Sequence, residues 1–335
     1  MISKIPFFIA EISANHNGSL TKAKKLIYDA KKYGADAVKL QTYKPETITL
    51  KSNNKFFKIK KGLWKNYYLW DLYKKGQTPW EWHKELFNYA KKIKIKIFST
   101  PFDEQAVDFL ESLNCPFYKV SSFEMTHLPL IKKIASTKKH MIISTGMANL
   151  SEIETTFKIA KRYGAKGITL LYCVSNYPST VKDFNLLNIK ILKDKFKCQV
   201  GLSDHSTKNI IATSAVSLGA TVFEKHISLG KKIGLDSEFS LSGKEILEYR
   251  CNLDEAFSLI RNKNFFRSKE EMENKKFRRS IFSIKEINKG EKFSINNVKI
   301  VRPSDGVEPK YFEQLIGKKS KFKIKKNYPI LKKYF

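Results

Sequence analysis

The chain has 335 residues and a mass of 38.8 kDa, which suggests two domains or one large α/β domain with an appendage. With 42% hydrophobic and 13% aromatic residues it can bury a large core, so a disordered chain or a small stapled scaffold is excluded. The net charge of +31 rests on 56 lysines and only seven arginines, and reads as a solvated lysine coat that attracts anions weakly.

Nucleic acid is a minor alternative, because arginine is scarce and no recognised nucleic-acid motif occurs. No stretch approaches eighteen uninterrupted apolar residues, so no membrane partner is expected. The start, MISKIPFFIAEISANHNG, has its short apolar run broken by Glu11 and reads as a first strand rather than a signal peptide. Four scattered cysteines without a CxxC point to neither a disulfide framework nor a zinc finger, and imply a reducing cytoplasm.

In chain order, short apolar runs predict strands over 7–12, 37–41, 94–100, 117–120, 140–145, 167–172, 199–203 and 221–226. Amphipathic patterns predict helices over 20–33, 80–93, 103–113, 128–136, 151–163 and 209–218. Strands alternating with helices imply parallel βαβ units, and eight of them match a TIM (β/α)8 barrel over residues 1–260. A doubly wound open sheet is the alternative, weakened by the lack of a GxGxxG turn after the first strand. Residues 42–79, with Trp64, Tyr67, Tyr68, Trp70 and Tyr73, are too long for a plain connection. They form either an aromatic mini-core on the barrel end or a direct ligand contact. Residues 261–280 are highly charged and read as a linker. Residues 281–335, with 14 basic and 5 acidic side chains, read as a small, mostly β module.

The chemistry of a barrel sits at the C-terminal ends of its strands. Polar residues recur there: Glu11; Lys39 and Gln41 on one face; Thr100; Lys119 and Ser122; Ser144; Tyr177; Ser203 and His205; Glu224 and His226. Each has a structural explanation when taken alone, a helix cap or a satisfied core histidine. Together they make one rim. Lys39 and Lys119 lie inside apolar strands, where an unpaired ammonium is expensive, so they need an anion. The economical one is a ligand phosphate or carboxylate. His205 and His226, at the ends of adjacent strands with Glu224 on the face of His226, suit a divalent metal with open positions.

The strings AEISANHNGSLTKAKKLI, DAVKLQTY, FSTPFD, YKVSSFE, ISTGM, GLSDHS and FEKHISL occur in this order. They resemble the sialic acid synthase family, whose members condense phosphoenolpyruvate with an acetamido sugar to a nine-carbon 2-keto acid. RRSIFSIKEINKGEKFSINNVKIVRP resembles the family's C-terminal antifreeze-like (SAF) domain, and LWDLYKKGQTPWEWHKELF and GLDSEFSL look most like the pseudaminic acid branch. N-acetylneuraminate or legionaminic acid synthesis is the alternative within the family.

The resemblance implies that Lys39, Thr100, Lys119, Ser122, Ser144 and Ser203 hold phosphoenolpyruvate, and that His205 and His226 hold Mn²⁺, with Mg²⁺ or Co²⁺ as substitutes. It assigns Glu11, Gln41, Tyr177, Glu224 and Asp236 to orienting or protonating the sugar, with Glu11 the first choice for the catalytic carboxylate. It further implies a domain-swapped homodimer in which Arg302 completes the active site in trans. Two departures stand out: Ser175 where many relatives carry Asn, and Arg302-Pro303-Ser304-Asp305-Gly306 in place of RPGxG. A metal-dependent aldolase on the same barrel would keep the histidines without needing both buried lysines. An ice- or glycan-binding protein is suggested by the tail alone.

Overall fold

The computed structural model describes residues 5–262 and 264–335. The chain divides into two compact units, Met1–Arg261 and Asn262–Phe335.

In the first unit, eight parallel strands pair in sequence order: β1 (Phe7–Glu11), β2 (Ala37–Thr42), β3 (Lys96–Pro101), β4 (Phe117–Val120), β5 (His140–Ser144), β6 (Gly167–Cys173), β7 (Gln199–Asp204) and β8 (Val222–Ser228). β1 also pairs with β8, with Glu11 opposite His226, so the sheet closes on itself. That closure establishes the barrel and removes the open sheet. Every strand reads as a near-continuous apolar run because helices cover its outer side and side chains fill the interior. Six of the covering helices fall where the amphipathic patterns predict them. Two more, Leu187–Phe196 and Lys244–Leu259, follow β6 and β8 and complete the set. Their frequent lysines and acidic residues blur the apolar stripe, which is why the patterns did not announce them.

Local chemistry fixes where each helix starts. Ser19 accepts from the Lys22 amide, Asp103 from the Ala106 amide, and Asn149 forms a capping box with Glu152. Each cap sets the first turn of a helix that leaves the C-terminal rim, and so helps to fix the loops in which the polar residues lie.

The helix Lys244–Leu259 is tied back to the start of the barrel by one side chain. Arg250 is buried, pairs with Asp36 at 3.0 Å and donates to the Pro6 carbonyl at 3.0 Å. Asp36 in turn accepts from the Phe8 amide at 2.9 Å. The last helix and the entries to β1 and β2 therefore share one ion pair.

In the second unit, β9 (Ser280–Ser283) pairs antiparallel with β10 (Val298–Val301) over a core that includes Ile281, Ile287, Phe293, Val298, Leu315, Ile324 and Ile330. Isolated bridges such as Ile287 with Ile324 extend the β character. The segment 261–280 departs from a plain linker: it holds the helix Lys269–Glu273 capped by Ser268, and all of it after Arg261 groups with the second unit. The 302–306 loop is anchored by the Ser280 hydroxyl, which donates to the Pro303 carbonyl and accepts from the Gly306 amide. A Cβ at Gly306 would stand 2.3 Å from the Ile281 carbonyl, so the glycine this loop retains is the one its backbone contact requires.

Removing one partner of a buried ion pair costs more than the pair contributes, because a charge is left behind. Arg250→Met is therefore expected to lower the stability of the first unit by about 3 kcal/mol, measured by chemical denaturation. An unchanged midpoint would show that the pair does not secure the closure.

Candidate active site

The register of the strands gathers the rim residues into a charged centre. Glu11 lies opposite Lys39 on one side and His226 on the other, Gln41 lies opposite Thr100, and Ser203 opposite Glu224. Lys39 Nζ sits 2.6 Å from Glu11 and 3.6 Å from Glu224, and donates to Thr100 Oγ1 at 3.1 Å. Lys119 Nζ lies 3.8 Å from Glu224 and donates to the Val120 carbonyl at 3.1 Å. Both lysines and both carboxylates are almost fully buried. The anion that the buried lysines require is thus supplied first by the chain itself, from β1 and β8, and not by a ligand alone.

The two lysines are not equivalent. Burial works against charge on Lys39, but Glu11 and Glu224 outweigh it and hold its pKa above the usual range. Burial prevails at Lys119 and pulls its pKa down, since only Glu224 stands close enough to oppose it strongly. The carboxylates diverge in the same way. Burial pushes Glu11 up to about 7 against the pull of Lys39, while at Glu224 burial is overcome by Lys119 and Lys39 and the pKa falls. Lys119 is the under-compensated cation of the centre. The buried Ser144 hydroxyl on β5 and one oxygen of Glu224 have no hydrogen-bond partner. Ser122 accepts from the Gly146 amide at 3.1 Å, and a Cβ at Gly146 would collide with the Ser175 and Ser122 hydroxyls. Ser175, the residue that departs from the family pattern, therefore packs at this close approach.

The two histidines lie side by side with ring centroids 5.3 Å apart. His205 Nδ1 lies 2.9 Å from the Val174 carbonyl and donates to it, which fixes the tautomer and leaves Nε2 with a lone pair. Burial, followed by the neighbouring His205 and Lys39, drives His226 well below its ordinary pKa, so its ring is neutral. Its buried Nδ1 has no hydrogen-bond partner, and the nearest carboxylate, Asp236, is 3.7 Å away. Burial works against charge on His205, but the adjacent Cys173 outweighs it and holds its pKa above the ordinary value. Of the two rings it is therefore His226, neutral and with an orphaned nitrogen, that most directly fits a divalent cation. Among the described residues no group of three or more His, Cys, Asp or Glu gathers into a protein cage, so the remaining positions would fall to water or substrate.

Beside this centre opens a cavity of about 340 Å³. Gln41, Tyr177 and His226 of the rim line it together with Asp236, while Glu224 lies back among the lysines. Gln41 donates to Glu11 at 3.0 Å and so links the cavity to the charged centre. Tyr177 packs on His205 with ring centroids 4.4 Å apart. The segment 42–79 resolves into two roles. Trp64 and Tyr73 line the cavity, whereas Tyr67, Tyr68 and Trp70 do not. Arg302 belongs to the second unit, exposed at the end of β10.

Three side chains at the site were given no role by the sequence reading, although Asn15 was among the polar residues that follow the first strand. Asn15 is fully buried; its amide nitrogen donates to the Ile227 carbonyl and Ser240 Oγ, and its oxygen accepts from the Asp236 amide at 3.0 Å. It thereby pins the loop that carries Asp236. Gly234 permits this approach: its φ is +105°, and a Cβ would stand 2.4 Å from the Asn15 side-chain oxygen. Cys173, the last residue of β6, is buried 3.9 Å from His205 and lay one residue beyond the predicted strand. Glu124 lines the cavity and accepts from Ser121, two residues beyond the predicted Ser122. Its place in the YKVSSFE string was the available signal.

Burial raises Glu124 to about 7, with Lys119 opposing. A carboxyl with a raised folded-state pKa binds its proton more tightly when folded, so it costs stability as pH rises from its unfolded value through 7. Glu124→Gln removes that cost. Its stability should match the wild type near pH 4.5 and exceed it at pH 8 by on the order of 2 kcal/mol. Denaturation at the two pH values measures this, and an equal difference at both would contradict it.

Known proteins place these features in context. Residues 26–264 match the model of the NeuB family, and residues 278–334 match the SAF domain. The chain is 41% identical to a pseudaminic acid synthase of Helicobacter pylori, over 97% of this chain and 96% of that protein. It is 43% identical to a pseudaminic acid synthase of Campylobacter jejuni, over 95% of this chain and 93% of that one. Among solved structures, the spore coat polysaccharide biosynthesis protein of Bacillus subtilis superposes with a TM-score of 0.68 at 29% identity, covering 99% of this chain and 95% of that one.

Proposed function

The chain belongs to the NeuB family, and on that premise we propose that it is a pseudaminic acid synthase. It condenses phosphoenolpyruvate, 2,4-diacetamido-2,4,6-trideoxy-altrose and water to a nine-carbon 2-keto sugar acid and inorganic phosphate. The observation that carries the chemistry is Lys119, a buried ammonium with incomplete compensation, set behind a cavity of sugar size. A second anion is wanted there, and phosphoenolpyruvate supplies a carboxylate and a phosphate.

In this reading Lys119, Lys39, Thr100, Ser122, Ser144 and Ser203 hold phosphoenolpyruvate, the hydroxyls and ammonium groups donating to its oxygens. Glu224 keeps both lysines in place and balances their charge. Gln41, Tyr177 and Asp236 orient the sugar in the cavity so that its aldehyde carbon meets carbon 3 of phosphoenolpyruvate. A new C–C bond forms there, water adds at carbon 2, and the tetrahedral product of that addition expels phosphate. Glu11, with a pKa of about 7, is poised to exchange a proton near neutrality. It gives that proton to the developing sugar alkoxide or takes one from the attacking water. His205 and His226 would hold a divalent cation, Mn²⁺ with Mg²⁺ or Co²⁺ as substitutes, which when bound polarises the aldehyde as a Lewis acid.

The alternative is a legionaminic acid or N-acetylneuraminate synthase, which would use the same centre on a different sugar. We place the reaction in the cytoplasm, where phosphoenolpyruvate is made; among the described residues no helix is long and apolar enough to cross a membrane.

Phosphate release is the test. It should require phosphoenolpyruvate and the trideoxy sugar together, stop on chelation and return with Mn²⁺, with N-acetylmannosamine turned over little. Full activity after chelation would remove the metal from the reading. Preference for N-acetylmannosamine would move the chain to the neuraminate branch.

The assembly we propose is a homodimer in which Arg302 of each tail serves the barrel of the other copy, its planar guanidinium donating to sugar oxygens. In support, Arg302 is exposed on a loop held by Ser280, and it is the one arginine of a tail otherwise rich in lysine. Mixing Arg302→Ala chains with His226→Ala chains should restore activity, since one barrel of each hybrid then meets an intact tail. No recovery despite proven subunit exchange would exclude the trans arrangement.

A further inference from the structure

We infer that the excursion 43–79 is the specificity element of the cavity, an uncharged wall that selects a sugar bearing methyl groups over one bearing a hydroxymethyl group. The inference rests on the function proposed above and names the part of the site that reads the sugar.

The cavity has two faces of different origin. Its carboxyl, imidazole and amide groups, Gln41, Glu124, His226 and Asp236, all come from strand ends and the loops that follow them. The excursion contributes Ile48, Ile59, Leu69 and Leu72, together with three aromatic rings and a glycine, and no charged residue. Composition makes that separation informative. The excursion contains nine lysines and two acidic residues, and none of them reaches the wall. Lys51, Lys58 and Lys75 stand instead over Trp70, Tyr68 and Tyr67, rings that do not line the cavity. A lysine-rich segment that presents only uncharged side chains to a cavity is built for an apolar partner.

The wall is also held in place. Trp64 Nε1 donates to the Leu235 carbonyl at 3.2 Å, Trp80 Nε1 to the Tyr43 carbonyl at 3.3 Å, and Tyr43 Oη to the Tyr73 carbonyl at 3.3 Å. A ligand in this space therefore turns its hydroxyl and carbonyl groups to the barrel and its methyl groups to the excursion. A hydroxymethyl group packed directly against Ile48 or Leu72 would bury its oxygen on aliphatic carbon, since those two side chains offer it no hydrogen bond.

Apolar pockets discriminate against an added hydroxyl by about 100-fold at most, and removal of one wall residue should forfeit about 10-fold of that. The experiment compares phosphate release from a 2,4-diacetamido-2,4,6-trideoxyhexose and from its 6-hydroxy counterpart, with phosphoenolpyruvate in both. The wild type should favour the trideoxy sugar in kcat/KM. Leu72→Asn should reduce the ratio about 10-fold while the KM for phosphoenolpyruvate stays as in the wild type. Ile48→Asn, at a half-buried position, gives the same reading should Leu72→Asn not fold. A wild type indifferent to the 6-hydroxyl, or a folded variant with the wild-type ratio, overturns the inference and leaves the condensation reading standing. A wild type that releases phosphate with neither sugar overturns both.

Discussion

Glu11 and Glu224 stand on neighbouring strands only because β1 pairs with β8, and that closure sets two carboxylates against Lys39 and Lys119 inside the barrel mouth. Four charges so deeply buried persist only if each has a partner, since desolvation of an isolated ion costs more than folding supplies. The arrangement is nearly but not fully balanced. Lys39 has Glu11 at ion-pair distance, whereas Lys119 shares a carboxylate from further away. The imbalance shows in the opposite directions of the two lysine pKa shifts and of the two carboxylate shifts. A site that must bind an anion and later release phosphate gains from such a reserve of positive charge, because the bound anion completes a pairing the fold leaves unfinished.

Around this centre the molecule is arranged in tiers. Thr100 on β3 accepts from Lys39 and Ser203 on β7 donates to Glu224, while the rings of His205 and His226 both pack on Phe239, with Tyr177 against His205. Asn15 then joins the turn after β1 to the loop that carries Asp236, using both ends of its amide. These contacts fix the groups before a ligand arrives, which is how a site limits the reorganisation it needs during reaction. The excursion contributes uncharged side chains to the cavity, while none of its lysines lines it.

The second unit follows a different logic. Its core is small, and much of its order comes from turns, isolated bridges and the anchoring of its loops by side chains such as Ser280. The charged run that precedes it is not a bare tether, since Ser268 caps a short helix there.

The alternation of apolar strands with amphipathic helices was legible because both periodicities are local, and it located all eight strands within about two residues at each end. The rim was legible for a related reason: a barrel puts strand ends in one place, so polar residues at successive ends must meet. The ordered motifs then connected that rim to a family. What the sequence left open was how those residues meet each other. It showed that Lys39 and Lys119 needed anions, but not that Glu11 and Glu224 supply them, because that depends on strand register and on the β1–β8 pairing that brings the last strand back beside the first. It exposed the aromatic residues of the excursion, but not which face each one takes, since that face is set by contacts with Leu235 and Tyr177 rather than by a repeat. Asn15 looked like one polar residue among several, and only tertiary contact distinguishes an amide with both ends engaged from one in water. Local pattern is written along the chain; charge balance, cavity walls and hydrogen-bond closure are relations between distant segments, and only the folded structure fixes them.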